Sequence, residues 1–131
     1  MSAERDVCTV IETWAKAVSD GDSKAILAHH SEDMLLFDFP ATVRGPDAYD
    51  RTWNFFFANP RGSISFVPCD MVVTADNEVA FVSCEMHCDG KSAGPVDFRL
   101  TTRLRKLEGE WVIVHDHHSV PTDHARLIAS Q

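Results

Sequence analysis

Glu108-Gly109-Glu110-Trp111-Val112-Ile113-Val114-His115-Asp116-His117-His118-Ser119-Val120-Pro121 reads as a tight turn feeding a long β-branched strand. The strand ends in imidazoles, a carboxylate and a hydroxyl. Both of its sides turn polar toward the C-terminal end, as happens where a sheet leaves the core and lines a cavity. If Glu108-Gly109 is a two-residue hairpin loop, Leu107 faces Glu110 and unbroken pairing follows. One face then collects Phe98, Leu100, Leu104, Trp111, Ile113, His115 and His117. The other collects Asp97, Arg99, Thr101, Asp116 and His118. A single extra residue in one strand would swap these faces.

The preceding residues read as strands as well. Ser63 to Ala75 is a long one, bent or bulged at Pro68, which has no N–H for a ladder. Asp76-Asn77 turns the chain and Glu78 to His87 returns it, with Ser83, Glu85 and His87 on one face. Asp89-Gly90 signals another hairpin, and Pro95 to Leu107 pairs with the terminal strand.

Helices come first. Val7, Val10, Ile11, Trp14 and Val18 form an apolar stripe from about Glu4 to Ser19, closed by Gly21. Asp22 or Ser23 caps a short second helix holding Ile26 and Leu27, which stops near Ser31. His29 and His30 fall at its end, where the helix dipole favours a cation, and need no further role there. Met34 to Phe39 is a brief strand broken by Pro40. Gly45-Pro46-Asp47 opens a third helix carrying Tyr49, Trp53 and Phe56, stopped by Asn59-Pro60. The tail from Pro121 to Gln131 forms at most a helical turn. Helices followed by a meander of long strands make an α+β domain, with three helices on a strongly curved sheet that leaves a conical pocket.

With 131 residues, residues 1–131 form one domain. Its 44% hydrophobic and 24% charged content is that of a soluble globular protein. The net charge of −8 argues against nucleic acid or an anionic membrane as partner. The N-terminus lacks the apolar core of a signal peptide, so a cytoplasmic location is expected and Cys8, Cys69, Cys84 and Cys88 read as reduced thiols. Cys84 and Cys88 do not have zinc-site spacing. Strand alternation sets His118 against His115 and His117, so no metal site is expected.

Trp14, Gly21-Asp22, the Asp38-Phe39-Pro40 break and the Gly109-x-Trp111-x-x-x-His115-x-His117-x-Ser119 ending resemble the nuclear transport factor 2-like superfamily, in its SnoaL-like and ketosteroid-isomerase-like branch. The ending is also similar to the association domain of calcium/calmodulin-dependent kinase. The resemblance implies a homodimer joined through a sheet face, here Phe98, Leu100, Trp111, Ile113, His115 and His117. It places Asp38 at the position of a general base, Asp97 at that of a hydrogen-bonding carboxylic acid, and Trp14 where those isomerases carry a tyrosine. Indole donates a hydrogen bond but shares no proton, and Arg99 near Asp97 favours its charged form. Both departures speak against steroid isomerisation.

Fold alone does not set function. The expectation is a small-molecule site with cofactor-free acid–base chemistry of an isomerase or lyase. In it Asp38, His118 and Asp97 do the chemistry; Trp14, Tyr49 and Trp53 form walls. Glu85, Arg99, Thr101 and Asp116 hold the ligand. A non-catalytic ligand-binding or assembly domain is the alternative. A third reading is hydrolysis or dehydration by a water shared between Asp38 and Asp97, Asp116 or Glu85.

Overall fold

A computed structural model describes residues 2–39, 41–53, 65–90 and 94–125. The first helix, α1, spans Ala3–Asp20. The Ser2 hydroxyl accepts from the Arg5 N–H at its start, and Gly21 closes it in the left-handed conformation at φ 70°. Val7, Ile11, Trp14 and Val18 are buried as their spacing requires, joined by Ala15 and Ala17. The second helix, α2, is Ser23–Leu27, capped by the Asp22 carboxylate.

The chain then enters a strand earlier than its composition suggests. β1 runs His30–Phe37, so His30 belongs to the sheet and not to a helix end. The His29 carbonyl accepts from the Ile113 N–H at 2.6 Å, a tertiary bond that the polar His-Ser-Glu-Asp run does not announce. A three-residue strand, β2 (Thr42–Arg44), pairs antiparallel with β1 and had no sequence signal. Gly45, at φ 82°, leads into α3 (Pro46–Thr52) with proline in its first turn. Pro40, Phe56, the Asn59-Pro60 stop, and residues 63, 64 and 126–131 of the expected elements lie outside the described residues.

β3 (Ser65–Ala75), β4 (Val79–Gly90), β5 (Gly94–Leu107) and β6 (Glu110–Ser119) complete the domain. The order is β2-β1-β6-β5-β4-β3, with β1 and β6 parallel and the rest antiparallel. The result is an α+β domain with a six-stranded mixed sheet that does not close into a barrel. The expected break in β3 falls between Cys69 and Val72, where Asp70 takes φ 53°; Pro68 itself stays in register with Met86. Glu108 and Gly109 both have positive φ, and Leu107 faces Glu110 as a two-residue loop requires. No helix among the described residues is long and apolar enough to cross a membrane.

One residue reorganises the C-terminal hairpin. Leu104 pairs with Ile113, but Arg103 pairs with His115, so Val114 is an extra residue in β6. Before this bulge the inward side chains are Trp111 and Ile113; after it they are Asp116 and His118. Unbroken alternation had put Phe98, Leu100, Trp111 and Ile113 on an outer face. They are instead core residues, between 1% and 5% exposed. The reason is hydrophobic burial: the apolar side of β5 joins the single core that the apolar stripe of α1 also fills, which leaves its polar side outside. His115 and His117 do face outward, flanking Phe37 with ring centroids at 4.8 and 5.6 Å.

The bulge has a direct stability signature. Ile113→Ala should cost about 2–5 kcal/mol in urea unfolding, while His117→Ala should cost less than about 1 kcal/mol. The reverse ranking would contradict the register.

Candidate functional site

Asp38 follows β1 directly, and its N–H donates to the Ala41 carbonyl at 3.0 Å, closing the turn that leads to β2. This presents its carboxylate to the end of β6. Asp38 Oδ1 accepts from the Phe39 N–H at 2.9 Å and lies 3.5 Å from His118 Nδ1. The two residues singled out from the sequence therefore meet. The His118 hydrogen bond holds the Asp38 carboxyl below its ordinary range, assisted by the Phe39 N–H and the imidazole charge, against burial, which pushes it up. Asp38 is an anion at neutral pH.

His118 is 7% exposed and packs on aromatic carbon: Phe98 at 4.8 Å, Trp53 and Phe39 at 6.3 Å. Its Nε2 is buried with no hydrogen-bond partner among the described residues. One ring nitrogen is turned to a carboxylate, and the other is a buried polar atom without a partner among the described residues.

Behind the dyad stands an aromatic wall. Trp14 packs edge-on against Phe66 and Trp53, at 5.2 and 6.0 Å. The Trp14 indole N–H donates to the Tyr49 hydroxyl at 2.9 Å. It is therefore engaged within the aromatic wall. The phenol stays protonated: burial and the charges of Asp116 and Asp38 push Tyr49 well above its usual range, outweighing the two indoles that bond it.

A second carboxylate–imidazole pair lies deeper. Thr102 Oγ1 donates to Asp116 Oδ1 at 2.7 Å, and His30 Nε2 sits 3.7 Å from Asp116 Oδ2. At that length the His30 contact is electrostatic and not a good hydrogen bond. Burial raises the Asp116 carboxyl, but the close imidazole of His30, the charge of His118 and the Thr102 hydroxyl together hold it low. Sequence reasoning named Asp116 and missed His30, whose role depends on a strand start that only the parallel β1–β6 pairing creates.

Four expected residues do not join this site. Glu85, Asp97, Arg99 and Thr101 are exposed on the opposite side of the sheet. Asp97 pairs there with His87 at 3.0 Å, and Arg99 Nε donates to Ser119 Oγ at 3.1 Å. Glu85, Arg99 and Thr101 border an outer depression of about 290 Å³. Cys84, Met86, Phe98, Leu100 and Thr102 beside them point inward, so strand alternation sends all four outward. Ser83 and His87 face outward with them. The cysteines are free thiols; burial pushes Cys84 up to about 11 and Cys88 to about 12, so neither is a nucleophile at neutral pH.

The sequence matches the SnoaL-like domain family over residues 7–123. The chain belongs to this family. No curated protein matches it. Among solved structures, it is similar to an NTF2-like protein of unknown function from Pseudomonas putida: 27% identity over 95% of this chain and 90% of that one, TM-score 0.84. A protein of unknown function with a cystatin-like fold from Nostoc punctiforme has TM-score 0.79 at 11% identity, covering 95% and 98%. The CamKII hub homology domain of Chlamydomonas reinhardtii has TM-score 0.75 at 20% identity, covering 92% and 100%. The likeness to these last two is one of fold.

Because Asp38 and Asp116 are depressed in the folded state, their stabilisation is complete above the unfolded carboxylate value near ~3.9 and is lost as pH falls through the folded values. Asp38→Asn should therefore flatten the loss of stability as pH falls through and below the ordinary carboxylate range. Urea unfolding at stepped pH measures this, and a slope equal to wild type would contradict it.

Proposed function

We propose that this SnoaL-like domain binds a modest, neutral, partly aromatic molecule against its aromatic wall and moves a proton with the Asp38–His118 dyad, without a cofactor. The observation that carries the reading is the buried Nε2 of His118, without a hydrogen-bond partner among the described residues, whose Nδ1 is turned to Asp38. Hydrogen bonding of Nδ1–H to Asp38 leaves Nε2 as the acceptor. It takes a proton from a substrate carbon or hydroxyl, while the Asp38 anion stabilises the imidazolium formed. Nε2–H then returns the proton to another atom of the same molecule, completing an isomerisation, or to a departing hydroxyl, completing a dehydration.

This reading changes the roles drawn from sequence. Asp38 becomes the partner of the base and His118 the base itself. Asp97 and Arg99 lie on the other face, so no guanidinium among the four expected ligand residues is available to fix a carboxylate. Two ionised carboxylates nearby favour a neutral ligand over an acid.

The test needs no natural substrate. In D2O, wild type should exchange the acidic C–H protons of 2-tetralone, a neutral aromatic ketone, followed by proton NMR. His118→Gln should slow this about 100-fold or more, and Asp38→Asn should slow it with the fold intact. Equal rates in wild type and His118→Gln would remove His118 from the chemistry.

We also propose that a second copy of the chain covers the outer sheet face. Val72, Val79 and Phe81 are between 49% and 60% exposed there, beside a concavity of about 500 Å³ bordered by Arg103, Arg105 and Val114. An apolar area of this kind on a monomer favours a protein contact. A non-catalytic assembly domain would use this face alone and leave 2-tetralone unexchanged. Phe81→Asp should convert a dimer to a folded monomer in sedimentation experiments; an unchanged mass would place the contact elsewhere.

A further inference from the structure

Three polar side chains lie in the core beside the dyad with a burial that stability alone does not explain. The His30 and Asp116 side chains are 0% and 1% exposed, and Thr102 is 1% exposed. Asp116 Oδ2 and both His30 ring nitrogens have no hydrogen bond among the described residues. Apolar residues of the same shape would fill this space without a desolvation cost. Buried polar atoms left short of partners call for a reason.

Their position supplies one. Asp116 and His118 are two apart on β6, just past the Val114 bulge, so both point inward on neighbouring positions of one face. Thr102 faces Asp116 directly across the β5–β6 ladder and fixes its carboxylate. His30 lies against the far oxygen and stacks on Tyr49 at 4.6 Å. We propose that Asp116, tied by Thr102 and partnered by His30, is a positioning residue that sets the charge and ring orientation of His118 from inside the core. The role rests on His118 being the proton carrier described above. At 1% exposure Asp116 acts through the imidazole and not on a ligand.

The groups around His118 can be named. Asp38 approaches from the end of β1 and Asp116 from β6, and both are anions. The other close rings, Phe39, Trp53 and Phe98, are uncharged, and Tyr49 nearby is held neutral. Asp38 supplies the contact at Nδ1. Asp116 supplies a second negative charge that water cannot screen, favouring the protonated ring once it has taken a proton.

Imidazole NMR titration tests this without any ligand. Asp116→Asn keeps the shape and the Thr102 contact but deletes the charge. The midpoint of the His118 ring signal should move to lower pH, and the pH profile of 2-tetralone exchange should move with it. A purely structural residue would change the melting temperature and leave both midpoints in place. If Asp116→Asn does not fold, the pair Thr102→Val with Asp116→Leu removes the buried polar contact as a unit and gives the same readout. An unmoved His118 midpoint in either folded variant overturns the proposal. His118→Gln that exchanges 2-tetralone as fast as wild type overturns the proton-transfer reading, while a shifted midpoint in Asp116→Asn would still show the electrostatic link.

Discussion

Covering the apolar stripe of α1 is the constraint on which the molecule depends. Val7, Ile11, Trp14 and Val18 need an apolar partner surface; α1 packs chiefly against β3, where Trp14 meets Phe66, and shares one buried core with the inward residues of β4 and β5, from Val82 and Met86 to Phe98 and Leu100. Burying side chains of this size contributes about 1.5–3 kcal/mol each, far more than a polar face of the same strands would return. Once β5 is oriented this way, its odd-numbered polar residues must point outward. The chemistry then has to come from elements whose inward residues are not all apolar: the end of β1, the start of α3 and the last turn of the β6 ladder.

Val114 makes that possible. Without an extra residue, Trp111 and Ile113 in the core would put His115 and His117 there too, leaving Asp116 and His118 in water. The bulge lets one strand serve as hydrophobic core in its first half and as a polar site in its second. The deeper cluster follows from the same shift. Asp116 arrives opposite Thr102 and within reach of His30, which the parallel pairing of β1 has drawn inward.

Much of this was legible in the sequence, for physical reasons. Periodicity and capping identified α1 and its glycine stop. Asn/Asp/Gly chemistry marked the turns, and the meander of long strands gave the fold class. Asp38 and His118 were found because a carboxylate before a strand-breaking proline and an imidazole at a strand end both sit where a sheet opens. The failures share one cause. A single unpaired residue carries no compositional mark, so the faces of the terminal hairpin, and with them Asp97, Arg99, Thr101 and the supposed outer Phe98, Leu100, Trp111 and Ile113, were inverted. Glu85 was misplaced by treating the polar side of β4 as the inner one. His30 and β2 were missed because both owe their conformation to hydrogen bonds with distant segments and not to local preference.

Among the described residues β3 is the outermost strand at one margin of the sheet, and this has its own consequence. Pro68 offers no N–H there, and the irregularity at Asp70, with its left-handed backbone, interrupts the ladder and plants a carboxylate at the break. A neighbouring chain that tried to zip onto this border would find a gap after a few rungs. The same kink that bends β3 around α1 therefore also guards against runaway cross-β templating.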